Sequence, residues 1–328
     1  MNVLVTGGGG FLGGAIVGQL LARGDTVRSF ARGDYPALEA QGVEVFRGDL
    51  RAKDEIRTAV RGCDVVFHVA AKPPPWGRRA DYESVNVLGT ENVVAACREE
   101  GVSHLIYTST PSVIGGAEDI EGGDESLPYR TEWSGAEYPR SKALGEQAVL
   151  AADCEGLRTV ALRPHLIWGP GDPHFLPRFV DRSRKGELRR IGPGDPLVDP
   201  TYVSDAAAAH LCAADRLRQG ADIGGRAYFI SGGETIGLWT LVDRLLATAG
   251  EPPLTRQVSV GLARVVGAVL EGAHRWFGLR GEPRLTRFVV QQVTHARWFD
   301  ISAARRDLSY APRVTIDEGM ETLCSLRD

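Results

Sequence analysis

Tyr138 and Lys142 are the side chains of this sequence whose types and spacing most clearly allow chemistry. Four residues separate them, which is about one helical turn, so a helix would place both side chains on one face. A phenol has an ordinary pKa of about 10, and a nearby ammonium group favours the phenolate and lowers that pKa. The spacing therefore predicts a general acid/base pair in which Lys142 lowers the pKa of Tyr138.

A glycine-rich segment follows the first apolar run of the chain. Residues 2–6 are apolar and β-prone, glycines occupy positions 7 to 10 and 13, and residues 15–21 are largely apolar. This succession of strand, glycine turn and helix is typical of a dinucleotide site. Gly7 would allow the tight turn, Gly10 would let backbone N–H groups approach a pyrophosphate, and Gly13 would let helix and strand pack closely. The N-terminus of the helix would then face the anion.

Further motifs follow this loop in a fixed order, at 48–50, 66–71, 86–90, 107–113, 138–142 and 162–172. Together with the loop they resemble the extended short-chain dehydrogenase/reductase family. Within it, the chain looks most like the 3β-hydroxysteroid dehydrogenase group, including sterol-4-carboxylate 3-dehydrogenases, and bacterial 2-alkyl-3-oxoalkanoate reductases. The segments that carry this closer likeness are 163–170, 198–203, 227–231, 281–288 and 304–312.

The resemblance implies roles for individual residues. Tyr138 would exchange a proton with the substrate oxygen, and Lys142 would also hold the ribose hydroxyls of the nicotinamide. Thr110 would hydrogen-bond the substrate oxygen. Its hydroxyl, like those of Ser109 and Ser112, could instead cap a turn.

Two other polar residues of these motifs, Asn86 and His165, each have two candidate roles. Asn86 would support the catalytic site or cap the N-terminus of a helix. His165 would contact the substrate or pack in the interior, whereas His68 is expected to be structural. The cofactor-binding residues that the resemblance implies are Gly7, Gly9, Gly10, Phe11, Leu12, Arg32, Asp49, Leu50, Ala70, Ala71, Lys72, Thr108, Tyr138, Lys142, Pro164 and Leu166.

The end of the second predicted strand bears on the choice of cofactor. NAD enzymes place an acid there for the ribose 2′-hydroxyl, and NADP enzymes an arginine for the 2′-phosphate. Here the strand runs into Arg32, which can offer a two-pronged contact to a phosphate. NADP(H) is therefore the predicted cofactor and NAD(H) the alternative, because Arg32 could simply be an exposed arginine and the acid Asp34 is close by.

Composition limits the class of protein. The chain has 328 residues, of which 43% are hydrophobic and 24% charged, with a net charge of −4, so nothing favours nucleic-acid binding. Its five cysteines are widely spaced and form no metal motif, which is typical of a reducing compartment. No basic stretch precedes the first apolar run, so we expect no signal peptide and a cytoplasmic protein.

Short β-prone runs alternate with helical stretches along most of the chain. This alternation predicts an α/β fold, a Rossmann-type doubly wound parallel sheet. The dinucleotide-binding domain is expected at 1–170, with 201–232 and 299–328 returning to it. By family resemblance, 171–200 and 233–298 would form a smaller, discontinuous substrate-binding lobe.

Apolar residues collect where the family's loops border the active site. Residues 258–277 add an apolar set at helical spacing, interrupted by charges, so this stretch cannot span a membrane. It would be a core or dimer-facing helix, or else a wall or entrance for a long alkyl or sterol substrate in contact with a lipid surface. The residues concerned are Pro73, Pro74, Pro75, Trp76, Ile114, Trp168, Phe175, Leu262, Val265, Val266, Val269, Leu270, Trp276 and Phe277.

The resemblance therefore implies an NADP(H)-dependent oxidoreductase that interconverts a ketone and a secondary alcohol on a bulky hydrophobic substrate. The preferred reaction is reduction of a 2-alkyl-3-oxoalkanoic acid to the 3-hydroxy acid. The alternatives are a 3β-hydroxysteroid or sterol dehydrogenase, a nucleotide-sugar epimerase and a non-catalytic NAD(P)-binding regulator. A homodimer is the default assembly of the family.

Overall fold

Seven parallel strands form the central sheet of this protein, seen in a computed structural model. The structure describes residues 1–74, 76–116, 118–130, 136–173, 175–279 and 281–326. Pro75, which we expected beside the active site, lies outside the described residues, as does the side chain of Phe175. The described strands are β1 (Asn2–Thr6), β2 (Thr26–Ala31), β3 (Glu44–Arg47), β4 (Val65–His68), β5 (His104–Thr108), β6 (Ile120–Gly123), β7 (Arg158–Pro164), β8 (Ile167–Trp168), β9 (Arg190–Ile191), β10 (Leu197–Val198), β11 (Thr201–Tyr202), β12 (Arg226–Ile230), β13 (Ile236–Gly237), β14 (Gln257–Val258) and β15 (Arg297–Phe299).

Helices connect these strands and cover the sheet. A π-helix at Glu83–Leu88 and a 3-10 helix at Pro111–Val113 lie beside the loops that follow β4 and β5. The described α-helices are α1 (Phe11–Ala22), α2 (Pro36–Glu39), α3 (Lys53–Val60), α4 (Arg79–Tyr82), α5 (Gly89–Glu99), α6 (Glu137–Leu150), α7 (Phe175–Arg184), α8 (Val203–Arg218), α9 (Leu238–Thr248), α10 (Val260–Phe277), α11 (Arg287–Thr294), α12 (Ser302–Leu308) and α13 (Ile316–Ser325).

The strand order of the central sheet is β12-β7-β5-β4-β1-β2-β3, and every neighbouring pair is parallel. The predicted Rossmann-type fold is thus confirmed. The chain adds β2 and β3 on one side of β1 and then crosses to β4 on the other side. This reversal opens a crevice at the carboxyl ends of β1 and β4, where sheets of this kind bind their ligands.

Both faces of the sheet are buried, as a parallel sheet requires. Side chains alternate along β1, so Val3 and Val5 belong to one core and Leu4 to the other. The first core also contains residues of α1 and α8, including Ile16 and Ala206. The second contains residues of α3, α5 and α6. The helices that position the site are therefore held from both sides of the sheet.

A second, four-stranded sheet has the order β13-β10-β15-β6. Three of its strands come from 171–200 and 233–298 or their border, whereas β6 comes from the first 170 residues and pairs in parallel with β15. Two smaller pairs, β8 with β11 and β9 with β14, complete the strand pairing. The division of the chain into a dinucleotide domain and a substrate lobe stays a prediction.

Helix α10 is the most apolar of the long helices outside the central sheet. Among the described helices, neither α10 nor any other combines the length and the apolar character needed to cross a bilayer. Its inner side packs on α11 through Ala263, Gly267 and the buried Glu271. Its outer side is considered below, with the substrate.

Candidate active site

The glycine loop after β1 has the geometry that its sequence predicts. Gly7 has a φ of +72°, and its N–H donates to the carbonyl of Phe30 at 2.8 Å, which ties the turn to β2. A Cβ at Gly13 would overlap the carbonyl oxygen of Gly7, so only glycine lets α1 approach the strand this closely. Gly10 is the N-cap residue of α1 and has no side chain with which to cap it. The first-turn N–H groups are therefore available to an anion, which fits a dinucleotide pyrophosphate.

Tyr35 is a residue at this loop that the sequence analysis missed. Its ring lies against Gly9, where any Cβ would overlap the ring. An aromatic residue in a connecting segment carries no motif, so spacing could not have found it. Phe11 and Leu12 form the start of α1, and Leu12 is buried in the core.

The predicted adenosine side of the site lies at the ends of β2 and β3. Arg32 is exposed immediately after β2. The nearby acid Asp34 forms an ion pair with Arg47, whose Nη1 lies 3.2 Å from its Oδ1. Asp49 accepts hydrogen bonds from Arg51, and these lower the pKa of the Asp49 carboxyl to about 2. Leu50, the next residue, is buried and packs against the α3 and α5 side of the sheet.

A buried hydrogen-bond network fixes the loop that follows β4. His68 Nδ1 lies 2.8 Å from Thr6 Oγ1, and His68 Nε2 lies 3.0 Å from Thr90 Oγ1. Thr6 Oγ1 also accepts from the N–H groups of Val69 and Ala70, both at 3.1 Å. Burial lowers the pKa of His68 to about 3, so its imidazole is neutral at physiological pH. The expectation that His68 is structural agrees with this network.

Ala70 brings the β4 loop against the glycine loop. A Cβ at Gly7 would lie 3.1 Å from the backbone of Ala70, so the two loops touch at the crevice between β1 and β4. Ala71 and Lys72 continue this loop, and Lys72 Nζ lies 5.3 Å from the ring centroid of Tyr82. These residues are thus brought together with the predicted pyrophosphate site, as the motif order requires.

Tyr138 lies in the first turn of α6 and is half-buried. The Thr110 side chain lies close enough to its hydroxyl to affect its pKa, and its ring centroid lies 6.3 Å from that of Tyr82. Burial raises the pKa of Tyr138 to about 12, and Thr110 lowers it by a smaller amount. The prediction that Lys142 lowers this pKa is therefore wrong for this structure, because the cost of burying a phenolate is the larger effect.

Lys142 lies one turn later on α6 and is only 2% exposed. Its Nζ donates to the backbone carbonyl of Thr108 at 2.6 Å and lies 4.0 Å from the ring centroid of Tyr107. Burial lowers the pKa of Lys142 to about 7, against a smaller opposing effect of Glu146. The ammonium is thus directed at the end of β5, and its proton can be gained or lost near neutral pH.

Thr110 has the capping role that the sequence analysis left open, and its contact with the substrate oxygen stays a prediction. Its Oγ1 is the N-cap of the 3-10 helix and accepts from the N–H of Ser112 at 3.3 Å. Ser112 Oγ lies 3.3 Å from the same oxygen. The Oγ of Ser109 is buried without a hydrogen-bond partner among the described residues. Of the three hydroxyls, that of Thr110 is the one that affects the pKa of Tyr138.

Asn86 lies inside the π-helix, so it is not an N-cap residue. Its Oδ1 accepts from the N–H of Lys72 at 2.7 Å, and its Nδ2 donates to the carbonyl of Lys72 at 3.2 Å and to Ser141 Oγ at 3.0 Å. Ser141 in turn donates to the carbonyl of Tyr138 at 2.8 Å. Asn86 therefore joins the β4 loop to α6, which is a positioning role, and Ser141 is a contact that the sequence analysis did not single out.

The segment after β7 follows the strand that neighbours β5 in the central sheet. Leu166 has a φ of +41°, which non-glycine residues seldom adopt and which costs free energy. Pro164 ends β7, and His165 Nδ1 lies 2.6 Å from Asp199 Oδ1. His165 is 8% exposed and its ring meets that of Phe299 edge-on, with centroids 5.2 Å apart. Strained backbone at such a position is typical of sites that bind ligands.

The carboxyl ends of four neighbouring strands thus bring most of the predicted residues together, and Arg32, Asp49 and Leu50 lie farther along the same edge. This arrangement can hold an extended dinucleotide and present a phenol to a substrate oxygen. The described residues contain no group of three or more His, Cys, Asp or Glu that could hold a metal ion.

Comparisons with known proteins agree with this arrangement. Residues 4–257 match the model of the 3-beta hydroxysteroid dehydrogenase/isomerase family. The chain is 46% identical over 325 residues to 2-alkyl-3-oxoalkanoate reductase of Stenotrophomonas maltophilia, with 98% of each chain covered. It is 35% identical over 322 residues to the decarboxylating sterol-4-alpha-carboxylate 3-dehydrogenase of Mus musculus, covering 97% of this chain and 88% of that protein. The solved structure of MoeE5 in complex with UDP-glucose and NAD superposes with a TM-score of 0.76 at 26% identity, covering 100% of this chain and 98% of that one.

Proposed function

Because the chain belongs to the 3-beta hydroxysteroid dehydrogenase/isomerase family, we propose that it reduces the ketone of a 2-alkyl-3-oxoalkanoic acid to the 3-hydroxy acid with NADPH. It is an oxidoreductase of the extended short-chain dehydrogenase/reductase family and acts with a nicotinamide dinucleotide. The observation that carries the proposed reaction is the placement of Tyr138 near Thr110 and one turn of α6 before the buried Lys142. The preference for the keto acid over a sterol is supported by the higher identity to the bacterial reductase, 46% against 35%.

The raised pKa of Tyr138 supports the reductive direction. With a pKa of about 12, the phenol keeps its proton at neutral pH and can donate it to the oxygen of a ketone as negative charge develops there. Thr110 would hold the same oxygen through its hydroxyl. When bound, the nicotinamide supplies the hydride, and the residues of the chain align the ketone and handle the proton.

Lys142 would help to return a proton to Tyr138 after Tyr138 has donated its own. Its Nζ is fixed on the Thr108 carbonyl, and burial lowers its pKa to about 7, so it can lose or regain a proton near neutrality. A group that titrates near the working pH is suited to restore the proton that Tyr138 gives up. In the proposed site, Lys142 also holds the ribose hydroxyls of the nicotinamide, and Asn86 fixes α6 against the β4 loop.

The ion pair between Asp34 and Arg47 supports the choice of NADP(H). Asp34 follows β2, and Arg47 is the last residue of β3. Ala31, at the end of β2, pairs with Arg47 in the register of these neighbouring strands. Arg47 neutralises the acid that could otherwise bind a ribose 2′-hydroxyl, with 3.2 Å between Nη1 and Oδ1. Arg32 and Arg47 then present two guanidinium groups where a 2′-phosphate would lie.

The outer side of α10 supports a hydrophobic substrate taken from a lipid surface. Trp276 is 89% exposed and Val269 65% exposed, and the spacing of the apolar set places it on one stripe of the helix. We define this apolar stripe as Leu262, Val265, Val266, Val269, Trp276 and Phe277, each of which is exposed. An exposed set of this size on a long helix is typical of an interaction surface.

The exposed charges of α10 favour an anionic lipid surface as the partner that covers the apolar stripe. Arg264 and Arg275 are the exposed charged residues of α10, and its carboxylate, Glu271, is buried and paired with Arg287 at 2.8 Å. Two copies of the chain would oppose arginine to arginine, whereas anionic headgroups would complement them.

Contacts lead from the end of α10 to Tyr138. Arg275 lies over the ring of Trp76 at 5.4 Å, and the hydroxyl of Tyr82 donates to the carbonyl of Pro73 at 3.0 Å in the same loop. Tyr82 in turn packs against Tyr138. An alkyl chain that leaves the lipid at the apolar stripe would reach the site along this loop, between the proposed dinucleotide domain and the proposed substrate lobe.

The proposed function is tested by absorbance of NADPH and NADH with a freshly prepared 2-alkyl-3-oxoalkanoic acid, a 3-ketosteroid and UDP-glucose. We expect oxidation of NADPH by the keto acid and loss of this activity in Tyr138→Phe. Turnover of the steroid alone would overturn the proposed substrate, and turnover of UDP-glucose alone, or of none of the three, would overturn the proposed reaction.

A further inference from the structure

Arg297 is a buried guanidinium without an acidic partner. It lies on β15, is 3% exposed and donates from Nη2 to the carbonyl of Gly116 at 2.6 Å. Its Nε has no hydrogen-bond partner, and no carboxylate among the described residues forms an ion pair with it. Burying a charge without a partner is costly, so buried arginines are normally paired.

Arg163 is a buried arginine that does have an acidic partner, although its Nη1 makes no hydrogen bond among the described residues. Arg163 is also 3% exposed, but its Nη2 lies 2.5 Å from Oε1 of the fully buried Glu146. At Arg297, burial lowers the pKa of the guanidinium to about 10, and the charge of Asp119 only partly offsets this effect. The difference between the two sites is the missing carboxylate at Arg297.

Arg297 lies on a strand that contacts two segments of the candidate active site. Arg297 and Phe299 lie two residues apart on β15 and are both buried, and the pairing with β6 shifts register between Trp298 and Phe299. Phe299 meets the ring of His165, directly after β7, and its N–H donates to Asp199 at 3.0 Å. On its other side, Arg297 holds Gly116, six residues after Thr110. Through these contacts β15 joins the loop that carries Thr110 to the segment that follows β7.

We propose that Arg297 binds the carboxylate of the substrate. The inference rests on the proposed function and adds the group that recognises the acid. In a 2-alkyl-3-oxoalkanoic acid the carboxyl carbon is two bonds from the ketone carbon, so a bound carboxylate would fix the ketone relative to Tyr138 and Thr110. The planar fork of arginine matches the two oxygens of a carboxylate.

The chemistry also explains why the site would reject neutral ketones of the same size. A substrate without the carboxylate would leave the buried guanidinium unpaired, and unpaired buried charge costs more than a lost contact. The structure therefore assigns to Arg297 the selection of acids over simple long-chain ketones and alcohols. The alkyl chains would contribute affinity without this discrimination.

The test compares oxidation of a 2-alkyl-3-hydroxyalkanoate with oxidation of a secondary alcohol of the same chain length that lacks the carboxyl group. In the unmodified enzyme we expect kcat/KM to favour the acid by about 100-fold, the effect of one buried charge-assisted contact. In Arg297→Met this ratio should fall to near 1, mainly through KM of the acid. Arg297→Lys should restore part of the ratio, and Arg284→Met, at an exposed arginine, should keep it.

Binding provides a second readout that does not depend on turnover. An unreactive 2-alkylalkanoate should raise the Tm of the unmodified enzyme and of Arg284→Met, but not of Arg297→Met. Equal turnover of the acid and the carboxyl-free alcohol by the unmodified enzyme would overturn the role of Arg297 even if Arg297→Met failed to fold. In that outcome the reductase itself would stand, whereas lack of turnover of both substrates would count against the proposed function.

Discussion

The side-chain amide of Asn86 donates a hydrogen bond to the hydroxyl of Ser141, with 3.0 Å between Nδ2 and Oγ. The same amide makes two bonds to the backbone of Lys72, so one buried side chain joins the β4 loop to the helix of Tyr138. This link connects a loop that faces the proposed cofactor with the helix that carries the proposed proton donor. Asn86 therefore helps to fix the distance between the two, together with the ion pair between Arg140 and Glu83.

Removal of this link should affect stability and catalysis together. Asn86→Ala leaves the N–H and the carbonyl of Lys72 without their partner, and we expect a loss of about 2 kcal/mol of unfolding free energy. The expected fall in kcat is at least about tenfold, because α6 is no longer held in register with the loop. Chemical denaturation and steady-state kinetics measure both effects. The matched control is Asn92→Ala on α5, which removes one hydrogen bond to the carbonyl of Leu50 and should change stability alone.

Tyr138 should remain protonated up to about pH 10. Burial raises its pKa to about 12, so the phenolate absorbance in the near ultraviolet should not develop below pH 10. The difference spectrum between the unmodified enzyme and Tyr138→Phe isolates this group from the other tyrosines. A phenolate that titrates near pH 7 in that difference spectrum would contradict the proposed proton donor of the reduction.

Lys142 should reduce the stability of the protein at neutral pH. Its folded pKa of about 7 lies below its ordinary value of 10.5, so the unfolded chain binds more protons between these values and stability rises with pH through this window. Lys142→Met removes the effect, and we expect it to exceed the unmodified protein by at least on the order of 1 kcal/mol at pH 7 or below. The advantage should shrink as the pH approaches 10.

Denaturation of both proteins at pH 6 and pH 9.5 measures this difference. Lys53→Met, at an exposed lysine paired with Glu99, should show no such dependence on pH. A constant difference between Lys142→Met and the unmodified protein at the two pH values would show that the buried amine does not titrate in this window. Activity of Lys142→Met should be lost at both values.

Arg32 and Arg47 should give the protein a higher affinity for NADP+ than for NAD+. With two guanidinium groups at the proposed 2′-phosphate position, we expect Arg32→Ala to weaken NADP+ at least about tenfold and NAD+ far less, since a charge-assisted contact is lost only for NADP+. Arg47→Ala should weaken NADP+ and also strengthen NAD+, because it releases Asp34. Titration of protein fluorescence gives the Kd values. Equal losses for both cofactors, or losses matched by Arg61→Ala at another exposed arginine, would rule the assignment out.

The apolar stripe of α10 should bind anionic vesicles. We expect sedimentation with phosphatidylglycerol vesicles, weaker binding to phosphatidylcholine, and release as salt is raised, because Arg264 and Arg275 add attraction to the apolar contacts. The double variant Val269→Ser/Trp276→Ser should abolish binding without loss of Tm, since both side chains are exposed. The matched control is Leu326→Ser, an exposed apolar residue near the chain end. Should the double variant instead convert a dimer to a monomer, with no vesicle binding by the parent, the stripe is a subunit interface.

The sequence predicts those parts of this molecule that depend on local geometry. The spacing of Tyr138 and Lys142 requires one helical face, and Gly7 and Gly13 are required by the turn and by close packing, whatever the rest of the chain does. The direction of the pKa shift of Tyr138 was not predictable, because burial depends on packing from distant segments. Arg297 was missed for the same reason, since nothing in its neighbourhood along the chain shows that it is buried or unpaired.

Thr108 is bonded on both sides of the sheet. Its carbonyl accepts from Lys142 of α6, and its hydroxyl lies 2.8 Å from Nε2 of His210 on α8, which packs on the opposite face. Local unfolding of α6 or of α8 would in each case break a hydrogen bond to Thr108. The end of β5 should therefore exchange its amide hydrogens only in openings that release both faces, so that the reactive edge belongs to the slowest-exchanging unit of the fold.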